Sequence, residues 1–160
     1  MALRLGGMGV PRNCDKMGSQ DQILKGLQAW AGQFYGADAT VERLVRLSGG
    51  ASQETWSLDV EQGGKVVDLI LRRVPGGVSV ARNSEAIGLG TEAKLLSCAE
   101  GEVPAPKVVQ VFEPDSDIGE AFLMNRIPGQ TIARKILRDD IYSAARGRLT
   151  EQCGQALAAI

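Results

Sequence analysis

At 160 residues the chain fits one domain with a modest core, and 44% hydrophobic with 23% charged residues is ordinary for a globular protein. A net charge of −1 and a pI near 5.5 argue against a broadly basic surface, so neither nucleic acid nor membrane is expected as a partner. Histidine is absent, which removes Ser-His and Cys-His catalysis and most transition-metal sites together. The three cysteines, Cys14, Cys98 and Cys153, are too dispersed for a zinc knuckle or a disulfide framework, so a cytoplasmic protein with reduced thiols is expected.

The first residues, MALRLGGMGVPRNC, lack the continuous apolar core of a signal peptide. Arg4 and Arg12, with no acid before Asp15, faintly resemble a transit peptide, but shortness and Gly/Pro content fit an unstructured extension or an upstream mis-start before Met17 better. Residues 1–18 are therefore read as a disordered extension. From Asp21 the pattern is helical, with Ile23, Leu24, Leu27, Trp30 and Phe34 on one face, Ser19 or Asp21 as cap and Gly36 as stop. Thr40 to Leu47 reads as a strand in which Val41, Val45 and Leu47 share a face.

The next stretch organises the chain. Trp56, Leu58 and Val60 alternate with Ser57 and Asp59, Val66 to Leu71 is a short apolar run, and Gln62-Gly63-Gly64-Lys65 joins them into a hairpin. The earlier break, Ser48-Gly49-Gly50-Ala51-Ser52, is too long for a two-residue turn. Its backbone N–H groups, unobstructed by Cβ atoms, and the Ser48 and Ser52 hydroxyls could cradle phosphate; Gly-Gly is equally at home in a plain strand connection.

After Val74-Pro75-Gly76-Gly77 a polar loop continues to about Gly90, and Thr91 to Glu100 reads as a helix closed by Gly101. Leu89, Ala93, Leu95, Leu96 and Ala99 occupy one arc of its wheel, with Glu92 near the middle. A carboxylate there requires a cation, unless the helix lies shallow and Glu92 reaches solvent over its rim. Val103-Pro104-Ala105-Pro106 must be extended and feeds a strand from Val108 to Phe112; Ala121 to Met124 is another, cut off by Ile127-Pro128-Gly129. From Asp139 or Asp140 to Ile160 the spacing of Ile141, Ala145, Leu149, Cys153, Ala156, Leu157 and Ile160 is helical, with the two aspartates as cap and first-turn acids. That helix carries no stop signal, and the sequence looks cut.

A glycine-rich turn, a cation closing the third strand, an inward carboxylate on the following helix and a strand ending in a hinge occur here in the order of a protein-kinase-like nucleotide lobe. More closely, LSGGASQETW, LILRRVPGG, GLGTEAKLLSCA, VPAPKVV and AFLMNRIPGQTIARKIL resemble the aminoglycoside phosphotransferase-like family, in particular a branch of small-molecule kinase-like proteins some of which are fused to acyl-CoA dehydrogenases. The similarity spans roughly Val41 to Ile160.

The resemblance implies an α+β fold: a kinase-like N-lobe of about five antiparallel strands with one packed helix, a preceding helix, and the first helix of a truncated C-lobe. Domain bounds would be 19–127 for the lobe and 128–160 for the hinge and first helical segment. It implies that Ser48, Gly49, Gly50, Ala51 and Ser52 cover phosphate, that Arg72 is the strand-three cation and that Glu92 is its helical partner. Arginine stands where the family often has lysine, and its fork can hold Glu92 bidentately. Arg73 is the neighbouring candidate, sent to the opposite face by alternation. Met124 would end the strand before the hinge, the backbone of Asn125 and Ile127 would meet an adenine edge, and Leu47, Thr55 and Ile70 would roof the base. ATP and a small-molecule hydroxyl acceptor are the implied ligands. Mg²⁺ ligands and catalytic residues are expected in the missing lobe, so no catalytic or metal residue is assigned. The rival reading is a non-catalytic nucleotide-sensing or protein-interaction module built on the same lobe.

Overall fold

A computed structural model of the chain describes residues 14–48, 53–77 and 87–160. Its elements are α1 (Cys14–Phe34), β1 (Thr40–Arg46), β2 (Glu54–Gln62), β3 (Lys65–Arg73), α2 (Leu89–Cys98), β4 (Val108–Phe112), β5 (Ala121–Asn125), α3 (Ala133–Arg138) and α4 (Ser143–Ala159). The strands form one antiparallel sheet in the order β1-β2-β3-β5-β4, an α+β arrangement consistent with a kinase-like N-lobe. The β2–β3 hairpin closes through Gly63 (φ 56°) and Gly64 (φ 81°), and two consecutive residues at positive φ are what a tight turn matched to strand twist requires.

The sheet has two covered faces, and alternation decides what goes to each. Trp56, Leu58 and Val60 of β2, Leu69 and Leu71 of β3 and Ala121 and Leu123 of β5 face α1, where they bury Ile23, Leu27, Trp30 and Ala31. The opposite face carries a smaller cluster, in which Leu89 and Ala93 of α2 seat on Phe122 with Val74, Leu96, Val108 and Met124 around them. α2 therefore packs mainly over β5 and β4, and among the described residues no helix covers the β1–β2–β3 part of that face.

Several elements differ from their sequence expectation. α1 already runs at Cys14, the first described residue, so residues 14–18 are helical and neither Ser19 nor Asp21 caps it; the rest of the expected extension, residues 1–13, lies outside the described residues. Its apolar stripe is narrower than the wheel suggests, since Leu24 is 37% and Phe34 53% exposed. In β1 an irregularity between Val41 and Arg43 places Glu42 as an extra residue against β2. That bulge inverts the alternation, so Leu44 joins Val41 on the α1 face while Val45 and Leu47 turn to the other. α2 begins at Leu89, and Leu95, counted in its inward arc, is 55% exposed.

Asp139 stands at the cap position and Asp140 in the first turn of a short 3₁₀ helix that leads straight into the long helix, though the Asp139 side chain makes no capping hydrogen bond. The chain makes α3 first, then a single 3₁₀ turn over Asp140–Tyr142, and α4 begins only at Ser143 with no side-chain cap. Arg146 Nη1 donates to the carbonyls of Ile136 (2.9 Å) and Asp139 (2.8 Å), the latter also accepting from the Tyr142 N–H at 3.1 Å, and so ties the end of α3 to α4. Leu149, Leu157 and Ile160 of the apolar series are exposed.

Candidate functional site

The strand registers assemble three rows of side chains across the open face. Thr55, Arg72 and Phe122 lie opposite one another on β2, β3 and β5; next come Val45, Ser57, Ile70 and Met124; then Arg43, Asp59 and Asp68, with Arg126 joining because its N–H extends the ladder to the Asp68 carbonyl at 3.0 Å. The first row holds a cation, the second is largely apolar, and the third sets two adjacent aspartates between two arginines.

Arg72 meets Glu92 as the wheel of α2 requires. Nη2 donates to Glu92 Oε2 at 3.1 Å and to Gln53 Oε1 at 2.6 Å. Nε lies 3.1 Å from Glu92 Oε1, yet its N–H is not aligned with that oxygen, so this contact is electrostatic and the fork is not fully bidentate. Both side chains keep about a third of their surface, 29% and 31%, so the pair is neither a desolvated core bridge nor a free surface pair. Glu92 also sits in the first turn of α2, where the helix dipole favours a carboxylate. Beyond this pair, Ile70 and Met124 are half-buried side by side, and Thr55 is half-buried.

The remaining site residues divide. Gly49, Gly50, Ala51 and Ser52 lie outside the described residues; Ser48, at the end of β1, is exposed. Leu47, whose N–H donates to the Thr55 carbonyl at 2.8 Å, is 42% exposed on the open face. Asn125 turns towards β4: its N–H donates to the Lys107 carbonyl and its Oδ1 accepts from the Lys107 N–H. Ile127 is 52% exposed, and among the described residues its N–H has no protein acceptor.

Two constellations were missed from the sequence. Arg73, on the α1 face as alternation requires, is 4% exposed and donates from Nη1 to Glu54 Oε2 (2.9 Å) and from Nε to the Ile118 carbonyl (2.6 Å); Arg46 approaches the same carboxylate at 3.4 Å. The signal was present, because Glu54 is in phase with Trp56 and Leu58, and Arg73 with Leu69 and Leu71, the same demand for a partner that singled out Glu92. The second is the charged row. Arg126 Nη1 donates to Ser57 Oγ (2.9 Å) and approaches Asp59 (3.4 Å), Nη2 reaches Asp68 (2.8 Å), and Asp59 also holds Arg43 at 2.7 Å. Its hydrogen bond and charge raise the Arg43 pKa.

Comparison with known families bears on this geometry directly. The model of the phosphotransferase enzyme family, APH, matches residues 43–160. The chain belongs to that family. The match begins in β1 and takes in the Arg72–Glu92 pair and the segment after β5, while α1 lies ahead of the matched residues. No curated protein and no solved structure matches the chain. Among the described residues no cluster of three or more Cys, Asp or Glu side chains could hold a metal ion, and no helix is long and apolar enough to cross a membrane.

Proposed function

We propose that this chain is the nucleotide-binding portion of an ATP-dependent phosphotransferase that acts on a small-molecule hydroxyl. The observation that carries the reading is the Arg72–Glu92 pair, held on the same sheet face as Ile70 and Met124. Triphosphate would lie over Arg72 under the Ser48–Ser52 turn, the base over the row of Val45, Ile70 and Met124, and the hinge backbone at Asn125 and Ile127 would read its edge. Glu92 keeps the guanidinium extended towards the phosphates; Gln53 occupies part of Nη2 and would exchange with a phosphate oxygen.

Phosphoryl transfer depends on positioning and charge neutralisation, so a residue orienting the acceptor hydroxyl and ligands for Mg²⁺ are both needed. We assign both to a following lobe, and read residues 128–160 as the hinge and the first helical segment leading into it. The cytoplasm is the compartment we infer, from unpaired cysteines. Arg72 in place of lysine, together with LILRRVPGG, supports the branch some of whose members are fused to acyl-CoA dehydrogenases. Titration with ATP tests the reading: micromolar binding that weakens in Arg72→Met supports it, and absence of binding refutes it. The module reading, with nucleotide sensing and no transfer, makes the same binding prediction and separates only on turnover by the whole protein.

A further inference from the structure

The third row of the open face is not explained by phosphate or base contacts, and its geometry is unusual in one respect. Arg126 belongs to the hinge side of β5, while Ser57 and Asp59 belong to β2, and β3 lies between. Two strand spacings are about 9–10 Å, close to the full reach of an arginine side chain, so Arg126 must lie stretched across β3 to make these bonds. On the way it engages Asp68 of β3 through both its backbone N–H and Nη2.

We propose that Arg126 is a positioning residue, a strap that fixes the hinge at a set height beneath β2 and so sets the depth of the base pocket. This rests on the nucleotide reading above. β2 follows the glycine-rich turn, and β5 runs into the hinge; backbone hydrogen bonds link these two strands only through β3. Arg126 adds a direct tie from the hinge to β2, and Ser57, which receives it, stands in the base row and is 5% exposed. Asp59 is itself held by Arg43 of β1, so the strap continues to the edge of the sheet and joins all the strands that would roof a base. A lysine at this position would supply one compact charge in place of a planar fork, and could not hold Ser57 and Asp68 together.

The triphosphate contact at Arg72 is two rows away and does not depend on the strap, which makes the test selective. The native chain, Arg126→Met, Arg126→Lys and Asp68→Asn are titrated with ATP and with inorganic tripolyphosphate. Loss of a preorganised pocket predicts ATP binding weakened about tenfold in Arg126→Met and Arg126→Lys and about threefold in Asp68→Asn, with tripolyphosphate binding unchanged within about twofold. Asp68 is half exposed, so its variant keeps the test open should Arg126→Met not fold. Unchanged ATP affinity in the folded variants, full rescue by lysine, or a parallel loss for both ligands overturns the strap. A native chain that binds neither ligand overturns the nucleotide site itself, and the strap with it.

Discussion

Replacing Arg73 by methionine should damage the fold and spare the site, although the next residue back, Arg72, does the reverse. The Arg73 side chain is 5% exposed and its partner Glu54 10%, so removing the cation leaves a carboxylate almost wholly withdrawn from water, with only Arg46 at 3.4 Å and itself half exposed to compensate. Breaking such a pair costs about 3–5 kcal/mol, and the Ile118 carbonyl that loses its 2.6 Å donor adds to this, so about 4 kcal/mol is the working figure. With a urea m-value of about 2 kcal/mol/M for a domain of this size, the midpoint should fall by about 2 M at unchanged m. Glu54→Gln should cost less, and the double variant less than the two losses summed, by at least ~1 kcal/mol. Nucleotide affinity of whatever remains folded should be native, because Arg73 faces α1. A loss below ~1 kcal/mol that is additive with Glu54→Gln, or a drop in ATP affinity in a folded Arg73 variant, would refute the assignment of the two arginines to opposite faces.

For the Arg72–Glu92 pair, nearly a third exposed on each side, the corresponding loss from Glu92→Gln should be only about 1–2 kcal/mol, partly recovered in the double variant with Arg72→Met, whereas Glu113→Gln, at an exposed acid with no ion pair among the described residues, should be within about 0.5 kcal/mol of native in the same urea melts. Gly119→Ala should destabilise by at least ~2 kcal/mol, since φ there is 81° and a Cβ would stand 2.4 Å from the Gly77 carbonyl oxygen; thermal denaturation reads this. Burial raises the Tyr35 pKa, so the stability it contributes is present below its ordinary value of 10.0 and lost as pH rises through the higher folded value; ultraviolet titration should show Tyr35 ionising later than it does in the urea-unfolded chain. The purified chain should show no magnesium-dependent ATP turnover, and turnover abolished by Arg72→Met would contradict the assignment of the metal ligands to another lobe.

Where each residue's neighbours were set by simple periodicity, the sequence was readable. Alternation along β2 and β3 placed Arg72 and Arg73 on opposite faces, and the wheel of α2 turned Glu92 towards a cation without any knowledge of the fold. Periodicity failed where one residue shifts the phase. The Glu42 bulge moved Val45 and Leu47 to the open face, and no local residue marks it, because Glu42 is exposed and unremarkable. The Asp139–Asp140 pair does mark a helical start, as acids at that position suggest, but its first turn is 3₁₀ and the α-helix proper begins only at Ser143. Arg126 was beyond reach for a different reason: its partners lie two strands away, and only the assembled sheet order brings them within a side chain's length.

The central claim is that the face bearing Arg72, Ile70 and Met124 binds a nucleotide. Isothermal titration of ATP into the native chain and into Arg72→Met, with urea melts run alongside, tests it most directly. Saturable one-to-one binding by the native chain is expected, weakened at least ~10-fold in Arg72→Met while stability falls by only ~1–2 kcal/mol. No heat of binding from the native chain, or equal affinity in the two, would contradict it.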